Sequence, residues 1–304
     1  MRVADDWKDY ELLDCSDGER LERWGEVILI RPDPQVIWKT PRKHPMWKKA
    51  NARYLRSSTG GGHWEILRKT PDAWRINYKE LSLNVKTMGF KHTGIFPEQA
   101  VNWDLCSELI KNAGREINVL NMFAYTGGAT LACAKAGAKV CHLDAVKGMV
   151  DWGRTNAKLS GLSDKPIRWI VDDAVKFLGR EIRRGNRYDG IILDPPSYGR
   201  GTNGEMWKLA GDGGIIDQRH EPGHIVGVAA AQRRLGVIYH AIDLLVPGGQ
   251  IGEHKGADEH NGAHDADGEQ AAAHIAVIIG QHLGGLKKDA AADDDAHDHR
   301  DGGE

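Results

Sequence analysis

The chain has 304 residues, 41 Lys/Arg against 43 Asp/Glu and a formal net charge of −2. That length buries a full core and accommodates one large domain or two smaller ones, so folding requires no partner. The charged start Met1-Arg-Val-Ala-Asp-Asp-Trp-Lys8, and the lack of any apolar run of about 18 residues, exclude a membrane span and point to a cytoplasmic protein.

Residues 1–88 predict a small β-rich accessory domain. Val27–Ile30 and Val36–Trp38 read as short strands separated by Arg31-Pro-Asp-Pro34. A Ser57-Ser-Thr-Gly-Gly-Gly62 loop follows, then strands over Trp74–Tyr78 and Leu81–Val85. Positions 31–91 carry 14 basic residues against 4 acidic ones, with Trp38, Trp47, Tyr54, Trp64 and Trp74 among them. Cations interleaved with flat rings suit a polyanion with exposed bases, RNA before duplex DNA; a solvated basic face with core tryptophans is the alternative.

From position 100 helix and strand alternate. Helices are expected at Val101–Ala113, Ala129–Ala136, Met149–Leu159 and Ala174–Arg184, and strands at Val119–Phe123, Val140–Asp144, Ile167–Val171 and Tyr188–Asp194. This order implies right-handed βαβ units and a mostly parallel, Rossmann-like doubly wound sheet, an α/β fold whose ligand lies beyond the carboxyl ends of the strands. The domain is expected to span 89–255.

The last 95 residues differ. Positions 210–304 hold 7 Lys/Arg against 17 Asp/Glu and 10 of the 14 histidines, with no Ser, Thr, Cys, Met, Phe or Trp. Nearly all belong to residue types whose codons can begin with G or C, as an out-of-frame reading of GC-rich DNA gives. Either the natural frame is lost soon after Leu209, or Arg233–Leu245 is a helix leading through Pro247-Gly-Gly249 to a fifth strand at Gln250–Glu253. On both readings 256–304 is an acidic, disordered or aberrant tail. Its histidines have no metal-ligand spacing, and Cys15, Cys106, Cys133 and Cys141 form no C-x-x-C pair, so no metal is expected.

Three sites carry chemistry. Asn121-Met-Phe-Ala-Tyr-Thr-Gly-Gly128 joins a strand to a helix N-terminus, where glycines permit close backbone approach and free N–H groups face an anion. Asp144 ends the next strand, placed to accept hydrogen bonds from ribose hydroxyls. Asp194-Pro-Pro-Ser-Tyr198 ends the fourth strand; its prolines stiffen the loop and leave carbonyls free to accept hydrogen bonds, and Tyr198 can stack on a base. The turn lacks the three spaced glycines of a dinucleotide fingerprint, which disfavours a nicotinamide-dependent oxidoreductase.

With Val171-Asp-Asp-Ala174, these motifs resemble those of class I S-adenosylmethionine-dependent methyltransferases. Phe90-Lys-His-Thr-Gly-Ile-Phe-Pro-Glu-Gln99 resembles the segment preceding the catalytic domain in the large-subunit ribosomal RNA cytosine carbon-5 methyltransferase group. The resemblance implies that Phe123, Tyr125, Gly127 and Gly128 surround the methionine end of S-adenosylmethionine, Asp144 holds the ribose and Asp173 reaches the adenine amine. Thr93, Phe96 and Gln99 close the pocket, and Asp194 faces the methionine amino group. Asp194, Pro195, Pro196 and Tyr198 form the catalytic loop, and RNA, ribosomal RNA first, is the substrate. Carbon-5 methylation needs a thiolate nucleophile, yet no cysteine follows Cys141. Either the target is another atom, for which direct displacement suffices, or the segment supplying the thiol is lost in the tail. A non-catalytic cofactor- or RNA-binding protein is the remaining alternative.

Overall fold

The computed structural model describes residues 3–58, 61–194, 198–200, 206–208, 249–254 and 275–280, the last four stretches as backbone only. A five-stranded sheet comes first: β1 (Tyr10–Ser16), β2 (Glu19–Trp24) and β3 (Val27–Pro32) form an antiparallel meander, β4 (Ala52–Arg56) runs parallel to β3, and β5 (Gly62–Ile66) is antiparallel to β4. The first hairpin turns on Asp17-Gly18, both at positive φ (55° and 73°), the residue pair that a tight two-residue turn favours. β2 alternates buried Glu19, Leu21 and Trp24 with less buried neighbours, but Glu22 breaks the pattern: it is a fully buried carboxylate. Arg31 on β3 holds it through Nε at 2.5 Å and Nη2 at 2.7 Å, and Tyr10 donates its hydroxyl at 2.9 Å. Burial alone would raise the Glu22 carboxyl, but the Arg31 charge and hydrogen bonds, with Arg20 and Tyr10, hold it below the usual carboxylate range.

Val36–Trp38 is not a strand. Its Ile37 is 89% exposed, and its carbonyls at Val36 and Trp38 accept the N–H groups of Gly18 and Asp17, so the segment braces the first hairpin instead of extending the sheet.

A hairpin of β6 (Trp74–Tyr78) and β7 (Leu81–Val85) leads to the second unit. Ile76, Tyr78, Leu83 and Val85 are buried in one cluster with Trp7, Trp24, Trp103, Leu131 and Ala157, so this hairpin shares its core with the helices that follow. Indole N–H groups act as staples between segments: Trp7 donates to the Pro97 carbonyl, Trp74 to Trp24 and Trp152 to Asn84, each at 2.9 Å.

The second unit alternates α1 (Ala100–Asn112), β8 (Asn118–Met122), α2 (Gly128–Lys135), β9 (Lys139–Asp144), α3 (Lys147–Leu159), β10 (Ile167–Val171), α4 (Ala174–Arg183) and β11 (Gly190–Leu193). These match the expected elements to within a few residues at the ends. β10-β9-β8-β11 are mutually parallel. Leu120, Met122, Leu143, Ile191 and Leu193 pack on Phe177 and Leu178 of α4, while Val119, Val140 and Ile192 pack on Cys133 and Ala134 of α2 with Cys106 of α1. The strand order reverses between β8 and β11, and at such a point connections leave in opposite directions and open a crevice above the carboxyl ends.

β12 (Tyr198–Arg200) pairs with β13 (Met206–Lys208) as a short hairpin. β14 (Gly249–His254) takes in the expected strand at Gln250–Glu253, but its neighbour in the sheet is β15 (Ile275–Gly280), which runs antiparallel to both β11 and β14. β15 falls within the stretch read from composition as an unstructured tail. Its run Ile-Ala-Val-Ile-Ile is the one β-branched apolar segment there, and local patterning of this kind suits a sheet. The expected helix at Arg233–Leu245 lies outside the described residues. No helix among the described residues is long and apolar enough to cross a membrane.

Candidate cofactor pocket

The switch point brings Phe123, Tyr125, Gly127, Asp144 and Asp194 to the carboxyl edge of the sheet. The loop leaving β8 is contorted: Phe123 and Tyr125 adopt left-handed φ of 55° and 51°, and Gly127, which precedes α2, lies at 89°. Two non-glycine residues in that region are uncommon and mark a loop held by its surroundings. Asp144, ending β9, holds it: one carboxylate oxygen accepts the Tyr125 N–H and the other the Val146 N–H, both at 2.9 Å. Burial raises the Asp144 carboxyl above its usual value, opposed by these two bonds. Each oxygen retains a lone pair for a further donor.

The glycines have separate reasons. Gly127 needs its backbone conformation, and no side chain caps α2 there, so the first-turn N–H groups remain open to a ligand. At Gly128 an added Cβ would come within 2.4 Å of the Trp103 ring, so glycine is required there for α1 to pack against α2.

Residues 93 to 99 form the opposite wall, and residues 89 to 91 lead into it. Three successive carbonyls are gripped by the first sheet: Tyr54 Oη donates to Gly89 (3.4 Å), Trp64 Nε1 to Phe90 (3.0 Å) and Arg31 Nη1 to Lys91 (3.3 Å). Beyond this clamp Thr126 Oγ1 donates to the Gly94 carbonyl, and the Phe96 ring lies 5.6 Å from that of Tyr125. Thr93 is fully buried, and its hydroxyl has no partner among the described residues. Gln99 is turned to Asn102, which donates to its Oε1 at 2.7 Å.

Asp194 follows β11 at the same edge. Burial, with the nearby Glu98 carboxylate, pushes it up to about 6. Asp173 caps α4 by accepting the Lys176 N–H at 2.9 Å, and Asp172 accepts the Asp173 N–H and pairs with Arg180. Asp173 is thus exposed beside the β9–β10 edge, with one oxygen committed to the helix. Pro195 and Pro196 lie outside the described residues, and Tyr198 is placed only as the first residue of β12.

A buried polar chain beneath the loop escaped the sequence reading. Asn121 donates to Thr130 at 2.9 Å, and Thr130 lies 2.9 Å from Nδ1 of His142, which is fully buried against Trp169. The signal was present as two polar residues inside apolar strands. Burial lowers the His142 imidazole to about 3. A histidine held neutral in the folded state takes up its proton only on unfolding, so stability should be complete above about pH 6.5 and fall as the pH drops toward 3, by up to about 1.4 kcal/mol per pH unit. Chemical denaturation across that range should show this slope, and His142→Gln should flatten it; an unchanged slope would assign the acid lability elsewhere.

The thiols lie away from this edge. Cys106 and Cys133 are buried with α1 and α2, and burial raises Cys141, beside Tyr188, to about 11. Among the described residues no group of three or more metal-ligating side chains occurs.

A doubly wound α/β sheet with a capped loop, an acid ending its second strand and a further acid at the switch point defines a domain for a nucleoside-bearing cofactor. The buried Thr93 hydroxyl without a partner, the spare lone pairs of Asp144 and the uncapped start of α2 fit the hydroxyl, ammonium and carboxylate groups of an amino-acid nucleoside. The chain belongs to the S-adenosylmethionine-dependent methyltransferase family, whose description matches residues 45–210, and its cofactor is S-adenosylmethionine. A solved S-adenosylmethionine-dependent methyltransferase from Agrobacterium tumefaciens is 33% identical, with a TM-score of 0.68 over 81% of this chain and 73% of that one. Ribosomal RNA large subunit methyltransferase K/L of Methylococcus capsulatus is 27% identical over 174 residues, which is 56% of this chain and 21% of that protein. Ribosomal RNA large subunit methyltransferase I of Aeromonas hydrophila is 33% identical over 107 residues, 35% of this chain and 26% of that protein. The chain therefore spans only about a fifth to a quarter of the length of these curated relatives.

Proposed function

We propose that the protein transfers a methyl group to RNA, with large-subunit ribosomal RNA as the substrate class. The observation that carries this is the arrangement at the switch point, where Asp144 holds the strained Phe123–Gly127 loop and that loop meets Gly94 and Phe96; the ribosomal RNA methyltransferase relatives support the choice of RNA. Bound S-adenosylmethionine supplies a methyl group on a sulfonium, an electrophile that needs only an aligned acceptor lone pair. Asp144 would hold the ribose, Asp173 the adenine amine, and Phe123, Tyr125, Gly127 and Gly128 the methionine end, with Thr93, Phe96 and Gln99 as the wall. Asp194 would take the ammonium, and Asp194, Pro195, Pro196 and Tyr198 the target base.

No described thiol reaches this edge, which favours a nitrogen acceptor over carbon-5 of a pyrimidine. Asp194 is ionised above about pH 6, so cofactor affinity should fall as the pH drops below that value, and Asp194→Asn should remove the dependence. The test of function is transfer of labelled methyl from S-adenosylmethionine to RNA stripped from large ribosomal subunits. Label in protein but not RNA, or tighter binding of NAD than of S-adenosylhomocysteine, would reject the assignment. Reading the gene in all three frames after codon 209 decides the origin of the unusual tail: a frame restoring Ser, Thr and aromatic residues would show that the catalytic half continues there.

A further inference from the structure

Part of the basic charge of positions 31–91 is spent within the fold. Arg42 pairs with Glu19 at 2.7 Å and stacks on Trp47, Arg53 also pairs with Glu19, Lys39 with Asp17, and Lys79 with Asp6 and Asp104. Charges committed in this way are poor ligands for a polyanion. One group of cations is different, and it surrounds Lys91 on the clamped segment that leads into the pocket wall.

The Lys91 ammonium is buried without a hydrogen-bond partner among the described residues, and so is Nε of Arg20. The Arg56 side chain on β4 is exposed, with no hydrogen bond or ion pair among the described residues. Lys91 is faced by Arg56 from β4, Arg20 from β2, Arg31 from β3, and the Asp33 carboxylate just beyond β3. Four cations, Arg20, Arg31, Arg56 and Lys91, thus share three carboxylates, Glu22, Asp33 and, beside Arg31, Glu98. The excess is one positive charge, with two orphaned donors among the cations. Leaving such donors buried and unpaired is costly, and an anion relieves it. Next in the chain to Lys91, the Phe90 ring is 65% exposed while its carbonyl is fixed by Trp64.

We propose that Lys91, Arg20 and Arg56 form a site for one phosphodiester of the substrate strand, and that Phe90 stacks on the adjoining base. The inference rests on the RNA reading above and deepens it. S-adenosylmethionine carries no phosphate, so its only competing anion is the methionine carboxylate. A fixed cation beside an exposed ring is the pairing that binds single strands, the charge holding the backbone and the ring a base of any identity. The site adjoins the residues that wall the cofactor pocket, so a strand gripped here enters the pocket from the side of the first sheet. Burial first, and then the three arginines, lower Lys91 to about 8, so phosphate held through it should loosen as the pH rises past 8.

The experiment measures binding of a single-stranded RNA oligonucleotide against salt and pH, with S-adenosylhomocysteine affinity measured in parallel by calorimetry. Lys91→Met and Arg56→Gln should each weaken RNA binding and lower the slope of log affinity against log salt by about 0.7, the expectation for one lost phosphate contact on a single strand. Phe90→Ala should weaken binding with the slope unchanged. Lys91→Arg should keep the affinity and abolish the loss between pH 7 and 9, which a purely structural lysine would not do. S-adenosylhomocysteine affinity should stay at the wild-type value throughout. Unchanged RNA affinity and slope in Lys91→Met and Arg56→Gln would overturn the site while leaving the RNA reading standing. Loss of S-adenosylhomocysteine binding with RNA binding intact would overturn it in favour of the cofactor carboxylate. No RNA binding by the wild-type protein would overturn both readings.

Discussion

Arg31→Met is expected to lower the free energy of unfolding by about 3–5 kcal/mol, the range found when one partner of a buried ion pair is removed. Glu22 is then left in the first sheet with no exposure and only Tyr10 and Arg20 to answer its charge, Arg20 lying 3.8 Å away and already engaged by Asp33 at 2.8 Å. Methionine fills most of the space over Trp24, so packing loss contributes little and the uncompensated charge dominates. The double variant Glu22→Gln/Arg31→Met should recover part of the loss, because no charge remains buried. Urea denaturation of the two variants and the wild type makes the comparison; a loss below about 1 kcal/mol in Arg31→Met would show that water or a rotated Arg20 replaces the guanidinium. Arg31 also holds the Lys91 carbonyl, so the same variant should loosen the pocket wall and weaken cofactor binding in conditions where it remains folded.

The second large effect is on binding. Asp144→Ala should weaken S-adenosylhomocysteine by about 1–3 kcal/mol, roughly a factor of 5 to 150, the cost of leaving hydroxyl donors without a charged acceptor. Isothermal titration calorimetry at constant salt measures it. Asp144→Asn, which keeps one acceptor oxygen, should fall between. An unchanged affinity in Asp144→Ala would remove this residue from the cofactor site and leave it as a loop anchor alone.

The parallel sheet was legible because each of its first four strands is a short, mostly apolar run after a glycine-marked helix end, Val119-Leu-Asn-Met122, Val140-Cys-His-Leu143, Ile167 to Val171 and Gly190-Ile-Ile-Leu193, and the last three of them run into an acid, Asp144, Asp172 and Asp194. The first sheet was harder. In Glu19-Arg-Leu-Glu-Arg-Trp24 charged residues outnumber apolar ones, and the strand is buried only because Glu22 finds Arg31 on the next strand, a match that local pattern cannot show. Val36–Trp38 was misread for the opposite reason, since in this apolar triplet between prolines only Val36 is buried while Ile37 and Trp38 lie on the surface. In the pocket, Gly127 and Asp144 announce themselves as a turn glycine and a strand-ending acid. The Asn121–Thr130–His142 chain and the carbonyl clamp on 89–91 exist only once several elements pack, so no single segment of sequence carries their signal.

The left-handed residues Phe123 and Tyr125 give Asp144 a second effect. Each such backbone conformation costs about 1–3 kcal/mol, and it persists because the surroundings insist on it. The Asp144 bond to the Tyr125 N–H is part of that insistence, so the loop behaves as a spring held compressed by its latch. Cutting the latch removes a favourable bond and releases tension together, and the two changes oppose each other in the folding equilibrium. Thermal stability should therefore register much less of the Asp144→Ala substitution than ligand affinity does, since the relaxed loop no longer presents the shape that a ligand meets.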